Sequence, residues 1–381
     1  MNTMADEIVD VIGGVDTHGD VHVAAVVDST GRILGTASFP TTPAGYRRLL
    51  SWMRKHGVVI RVGVEGTGSW GAGLARFLTG EGVEVVEVDR PNRQLRRLRG
   101  KSDPVDAEAA ARAALNGEAK GTPKARTGPV EAIRALRVAR RSAMKARTQA
   151  LAQIRALITT GPEELRAQLR PLSTADVVTM AARYRPGDAT TVVGATKLAL
   201  RELSLRVRYL EEQVDRLDAT LAPLVTATCP ALVARFGVGP QTAAALLVAA
   251  GDNPDRLRDE AAFAALCGVS PVEASSGRVV RHRLNRGGDR QANHALWRIV
   301  FVRMRFDPKT RDYVDRRTKE GLSRKEIIRC LKRYVARELY QCIVNNQTAG
   351  AAPTNADTDA TARPHGRHRR PPAIIGACGA R

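Results

Sequence analysis

The sequence predicts an α/β N-terminal domain joined to a long, mainly α-helical region, and three observations carry that expectation. Within the first ninety residues, short runs rich in β-branched residues alternate with helical patterns in the order hairpin, helix, strand, helix, strand. That order specifies a mixed sheet with helices on its faces. Beyond residue 129 the pattern changes to long helical stretches, from Val130 to about Ile158 and from about Thr196 to Leu221. Charge divides in the same way: residues 1–90 hold 8 Lys/Arg against 11 Asp/Glu, whereas residues 278–337 hold 19 against 6.

Each element follows from local chemistry. Gly13 to Val27 reads as a hairpin, two apolar runs joined by Thr17-His18-Gly19-Asp20. Arg32 to Phe39 adds a third antiparallel strand. Thr42-Pro43 opens a helix, since Thr caps well and Pro fits a first turn. Its apolar positions Tyr46, Leu49, Leu50 and Met53 share one face, and Gly57 stops it. Arg61 to Glu65 is a fourth strand, Trp70 to Gly80 a second helix, and Val83 to Val88 a fifth strand. After a basic stretch at 90–101, Ser102 or Asp103 caps a helix that runs through alanines to about Leu115, with Pro104 in its first turn.

These boundaries divide the chain into an α/β domain at 10–118, a Gly/Pro-rich linker at 116–129, a helical region at 130–222, a C-terminal domain at 228–342 and a basic tail at 346–381. The two long helices of the middle region are expected to pair as an antiparallel coiled coil, an arm or an oligomerisation element. Leu232 to Ala243 has the form helix, Gly237-Val238-Gly239 turn, helix. It resembles a helix-hairpin-helix, in which backbone N–H groups face a phosphate; a plain helical hairpin fits the same residues. The tail is rich in Ala, Thr, Pro and Gly and is expected to be disordered.

Composition narrows the function classes. Hydrophobic residues at 43% of 381 suffice for real cores, while aromatics at 4% leave the packing to Ala, Val and Leu and are too few to argue for a stacking platform for single strands. A formal net charge of +21 favours a polyanionic partner, most simply nucleic acid. Five cysteines without a CxxC spacing indicate neither a disulfide framework nor a zinc site. No secretory signal is visible, and no run approaches the roughly 18 apolar residues of a membrane span. The expected location is the cytoplasm, with nucleoid association when bound to DNA.

Four acids stand out. Asp16 and Glu65 each close a strand, and Asp103 and Asp106 lie three apart at the start of a helix, on one face. An unpaired carboxylate at the end of a buried strand is costly, and four together repel strongly at low dielectric. One or two Mg²⁺ ions would neutralise them, keep open positions for phosphate, and hold the attacking and leaving oxygens of a phosphodiester. Spacing alone also fits four separate surface acids and helix caps.

The stretches Gly14-Val15-Asp16, Val64-Glu65-Gly66-Thr67-Gly68 and Lys101-Ser102-Asp103-Pro104-Val105-Asp106-Ala107 resemble the RuvC-type RNase H fold. More narrowly they resemble the DEDD transposases of the insertion sequence 110 family, relatives of the Piv DNA invertase. At the other end Gly268-Val269-Ser270-Pro271, Ser275-Ser276-Gly277 and Arg286-Gly287-Gly288-Asp289 match the same family in the right order. The resemblance covers about residues 12–340. It implies a RuvC-like catalytic domain at 10–118 and a C-terminal transposase domain whose serine attacks DNA. Ser276 best fits the family's Ser-Gly, with Ser275 one residue away. It further implies a covalent phosphoserine intermediate, donor and target DNA as partners, a structured non-coding RNA bridging them, and a homo-oligomer, dimer or tetramer.

Phosphate contacts are expected from Arg93, Arg96, Arg97 and Lys101, from the turn at Gly237 and Gly239, and from Arg278, Arg286 and Arg290. Two other readings stay open. A Holliday-junction-type nuclease would need only the acidic quartet and would keep cutting without the serine. A non-catalytic binding protein would tolerate Asp16→Asn.

Overall fold

The structure, a computed structural model, describes residues 9–88, 102–253, 256–279 and 282–350, with the backbone alone at 346–350. The basic stretch 90–101, with Arg93, Arg96, Arg97 and Lys101, and the tail from residue 351 lie outside the described residues.

The N-terminal part is a five-stranded mixed sheet. Its elements are β1 (Asp10–Thr17), β2 (Val21–Asp28), β3 (Ile33–Pro40), α1 (Pro43–Arg54), β4 (Val58–Glu65), α2 (Ala72–Gly80), β5 (Glu84–Val88) and α3 (Asp103–Leu115). The strand order is β3-β2-β1-β4-β5, with β1, β2 and β3 antiparallel in sequence and β4 and β5 parallel to β1. Every expected strand and helix is present here. α1 begins as the Thr42-Pro43 pair dictates: the Thr42 side chain accepts from Gly45 N–H.

Helices cover both faces. α1 and α2 place Leu49, Leu50, Met53, Leu74 and Leu78 against Val11, Val15, Val62 and Val64. On the other face α3 offers Ala110, Ala111 and Ala114 to Ile12, Val27 and Val86. Beyond Asp106 in its first turn, the helix buries only alanines, so it approaches closely, and Gly14 on the central strand meets it. A Cβ at Gly14 would stand 2.1 Å from Ala111 N and 2.2 Å from Ala107 O, both backbone atoms. Gly14→Ala should therefore lower stability by about 3 kcal/mol, read by chemical denaturation, because a backbone neighbour cannot swing aside. An unchanged midpoint would mean α3 does not seat on β1.

The remaining chain is helical: α4 (Pro129–Thr160), α5 (Glu163–Leu169), α6 (Thr174–Ala181), α7 (Val192–Thr228), α8 (Pro230–Val233), α9 (Pro240–Ala250), α10 (Glu260–Leu266), α11 (Arg290–Phe306), α12 (Pro308–Lys319) and α13 (Arg324–Gly350), with a small hairpin of β6 (Val272–Glu273) and β7 (His282–Arg283) before α11. α4 and α7 run antiparallel, as the ladder of ion pairs requires: Arg140 Nε meets Asp218 Oδ1 at 2.5 Å and Arg147 meets Glu211 Oε1 at 2.6 Å. α7 continues through Pro223 to Thr228 instead of stopping near Leu221. Leu221 and Val225 are fully buried in the C-terminal core, which offsets the hydrogen bond a proline removes. α10 is short, Glu260–Leu266, with the Asp259 side chain as its cap, accepting from Ala262 N–H. The basic C-terminal segment forms two helices, α12 and α13, separated at Glu320 and Gly321.

The linker at 116–129 is held at both ends of the molecule. Arg126 donates to Gly68 O in the sheet domain, while beyond α9 Asn253 Oδ1 accepts from Ala125 N–H and Asn253 Nδ2 donates to Pro123 O. Among the described residues no helix is long and apolar enough to cross a membrane.

Candidate functional site

The acids converge where β1 and β4 end and α3 begins. Because β1 and β4 are parallel neighbours, with Val15 opposite Val64, Asp16 and Glu65 stand at the same edge of the sheet. The Thr17 hydroxyl ties the two strand ends by donating to Glu65 O at 2.9 Å. The next turn is fastened to β5 by the Thr67 hydroxyl, which donates to Glu87. From the other side, the seating of α3 on Gly14 brings the first turn of that helix to the same edge. Ser102 is its extended N-cap residue and Pro104 lies in the first turn, so Asp103 and Asp106 sit where the helix dipole favours negative charge.

Ligand atoms of Asp16, His18 and Asp103 lie within 4.8 Å of one another. His18 Nε2 is 3.1 Å from Asp16 Oδ2 and 3.5 Å from Asp103 Oδ1. Asp106 is buried one turn along α3 and acts on Asp16 through its charge. Glu65 is half-buried at the end of the adjacent strand, outside the triad. Burial holds the Asp16 carboxyl above its ordinary value; His18 opposes the shift, and Asp106 and Asp103 add to it. A charge so disfavoured is what a divalent cation would relieve. The carboxylates fit Mg²⁺, whereas the His18 nitrogen suits a transition metal better as a direct ligand. As a hydrogen-bond partner of Asp16, His18 fits either ion.

His18 is the residue that sequence reasoning missed. The available signal was its i+2 relation to Asp16 at a strand end, which puts both side chains on one face. His22, four residues on, plays a different part: it is buried, stacked on Tyr46 with ring centroids 5.7 Å apart, and burial pushes its pKa down to about 4.

The serines stand elsewhere. β6 and β7 form their own two-stranded sheet, and Ser276 and Val279 exchange backbone hydrogen bonds of 3.1 Å across its tip. Ser275, Ser276 and Arg278 are exposed there, and Gly277 takes a φ of 56° to close the turn. The neighbouring motifs build the base of this hairpin. A Cβ at Gly288 would fall 2.2 Å from Gly268 N, so the two glycine segments pack backbone to backbone. Asn293 Nδ2 donates to Cys267 O and Gly268 O, and Lys332 Nζ donates to Asn293 Oδ1 at 3.0 Å. Asp289 caps α11 by accepting from Gln291 and Ala292 N–H.

Of the expected phosphate contacts, Arg278, Arg286 and Arg290 are exposed around this hairpin and the start of α11. At the Gly-Val-Gly turn the preceding helix, α8, is a single turn of four residues. Gly239 N–H already donates to Thr242 Oγ1 at 3.1 Å, so a phosphate there would displace that hydroxyl.

Comparison with known proteins adds an independent line. A model of the DEDD transposases of IS110 elements, described as a transposase, matches residues 13–161 and so spans all four acids. A second, described as the transposase IS116/IS110/IS902 family, matches residues 230–315, which include the serine hairpin and α11. The Insertion element IS110 uncharacterized 43.6 kDa protein of Streptomyces coelicolor is 33% identical over 141 residues, covering 35% of each chain. The match thus spans about a third of that relative's length.

Proposed function

This chain belongs to the IS110 family of insertion-sequence transposases, and from that premise we propose that it cuts and rejoins DNA strands through a divalent-metal site and a serine nucleophile. The observation that carries the reading is Asp16, buried, charge-disfavoured and within ligand distance of Asp103 and His18. The strand order β3-β2-β1-β4-β5 supports an RNase H-like, RuvC-like assignment for the domain. In this reading Asp16, Glu65, Asp103 and Asp106 hold Mg²⁺, and His18 orients Asp16.

A bound divalent cation supplies charge neutralisation at the reacting phosphate. The chain's own contribution is the hydroxyl. Ser276 Oγ attacks phosphorus, its proton is lost, and the bond from phosphorus to the 3′-oxygen breaks. The products are a phosphoserine linked to the 5′ side and a free 3′-hydroxyl, which takes up a proton. Reversal with a different 3′-hydroxyl rejoins the strand without external energy. A serine hydroxyl needs activation, and its exposed hairpin suits delivery to the acidic site of another copy in a homo-oligomer, dimer or tetramer. The α4–α7 pair, read as a coiled-coil arm, is the element proposed to join copies. A structured non-coding RNA joining donor and target DNA, and a cytoplasmic, nucleoid-associated location, complete the proposal by family resemblance.

The test is cleavage of element-end DNA by the purified full chain. Strand breaks should appear with Mg²⁺ or Mn²⁺ and vanish with chelator; breaks that persist in chelator would remove the metal from the mechanism.

A further inference from the structure

α11 has two apolar faces. Ala292, Ala295, Leu296, Ile299 and Val300 are buried in the C-terminal core, as an amphipathic helix requires. The opposite side carries His294, Trp297 and Phe301, spaced three and four apart, and they stack on one another. Ring centroids are 5.6 Å apart from His294 to Trp297 and 5.4 Å apart from Trp297 to Phe301, with interplanar angles of 30° and 26°. His294 is exposed, Phe301 is 44% exposed and Trp297 half-buried, and none belongs to the hydrophobic core. In a chain with only 4% Phe, Trp and Tyr, two of them stacked in a row with a histidine are conspicuous.

The same side of the helix carries cations. Arg290, Arg298 and Arg305 follow at helical spacing and are exposed, and among the described residues no carboxylate pairs with them. The helix contains no Asp or Glu from Arg290 to Phe306. Arg303, on its other side, is the one engaged by Glu338. Flat apolar rings flanked by regularly spaced positive charge call for a partner with exposed flat faces and regularly spaced negative charge. A second copy of this chain meeting the patch face to face would set Arg290, Arg298 and Arg305 against themselves. Duplex DNA supplies phosphates but keeps its bases inside the stack. An unpaired strand supplies both.

We propose that this face of α11 binds unpaired DNA, with bases stacked on His294, Trp297 and Phe301 and phosphates on Arg290, Arg298 and Arg305. The proposal rests on the transposase reading for the presence of an opened DNA strand. It adds where that strand lies, at a stacking platform for which the whole-chain aromatic content gives no argument.

The test is fluorescence anisotropy of the full chain with a twelve-nucleotide oligothymidylate, the matching oligouridylate and a twelve-base-pair duplex. The double variant His294→Ala/Phe301→Ala removes exposed rings only and should melt with the wild type. It should bind oligothymidylate roughly tenfold or more weakly, with duplex affinity within about twofold of wild type. Binding of oligothymidylate should also quench Trp297 in the wild type. Equal losses on strand and duplex, no loss, or a loss confined to oligouridylate would each overturn the assignment. So would a variant that only changed the oligomeric state. Wild-type protein that binds neither DNA would instead sink the transposase reading itself.

Discussion

Asp16→Asn should abolish strand cleavage, lowering its rate on the order of a thousandfold or more, while the protein stays folded. Asp16 is 7% exposed, and burial together with Asp106 and Asp103 raises its carboxyl pKa against the pull of His18. A carboxyl raised in the folded state contributes stability below its ordinary titration range and loses it as pH rises through the raised value. At neutral pH, without a cation, the ionised Asp16 therefore costs stability, and Asn removes that cost. In chelator the variant should melt no lower than wild type; added Mg²⁺ should raise the melting temperature of wild type alone. An aspartate kept for structure would behave oppositely, its loss lowering the melting temperature with or without metal. Asp106→Asn should likewise eliminate cleavage, since Asp106 is 4% exposed and faces the same site.

Ser276→Ala should eliminate strand exchange just as fully, by about a thousandfold or more, but with Mg²⁺ stabilisation intact. Ser276 lies at an exposed hairpin tip and its N–H and carbonyl, not its hydroxyl, hold the turn. Alanine keeps both backbone bonds, so a lost activity cannot be laid to a lost fold. Ser275→Ala is the companion variant: if it is silent while Ser276→Ala is dead, Ser276 is the nucleophile, and the reverse pattern transfers the role. A hydrolytic junction nuclease would cut at an undiminished rate in both variants. A denatured protein–DNA adduct, digested and mapped, should carry the nucleotide on the same serine.

Much of this architecture is readable from the sequence because its signals are periodic. The strands of the sheet alternate or run apolar, Thr42-Pro43 and Ser102-Asp103-Pro104 mark helix starts, and acids at strand ends attract notice because burial makes them expensive. What escaped has no period. His18 is one polar residue in a polar turn, its i+2 relation to Asp16 a single step too short to stand out, and the assembled edge is what sets it between Asp16 and Asp103. β6 and β7 are two residues each, below what alternation can reveal. Pro223 signals a helix end, yet burial of its neighbours overrides it. The α11 ladder is hidden by averaging, since a whole-chain aromatic percentage cannot register three rings on one helical face.

The catalytic reading turns on whether the end of β1 and the start of α3 hold a divalent cation. The direct measurement is calorimetric titration of Mg²⁺ and, separately, Mn²⁺ into the full chain, its Asp16→Asn variant and its Ser276→Ala variant. Wild type and Ser276→Ala should bind alike, and Asp16→Asn should show no binding at the same concentrations. Equal binding by all three proteins would place the metal somewhere else and contradict the account.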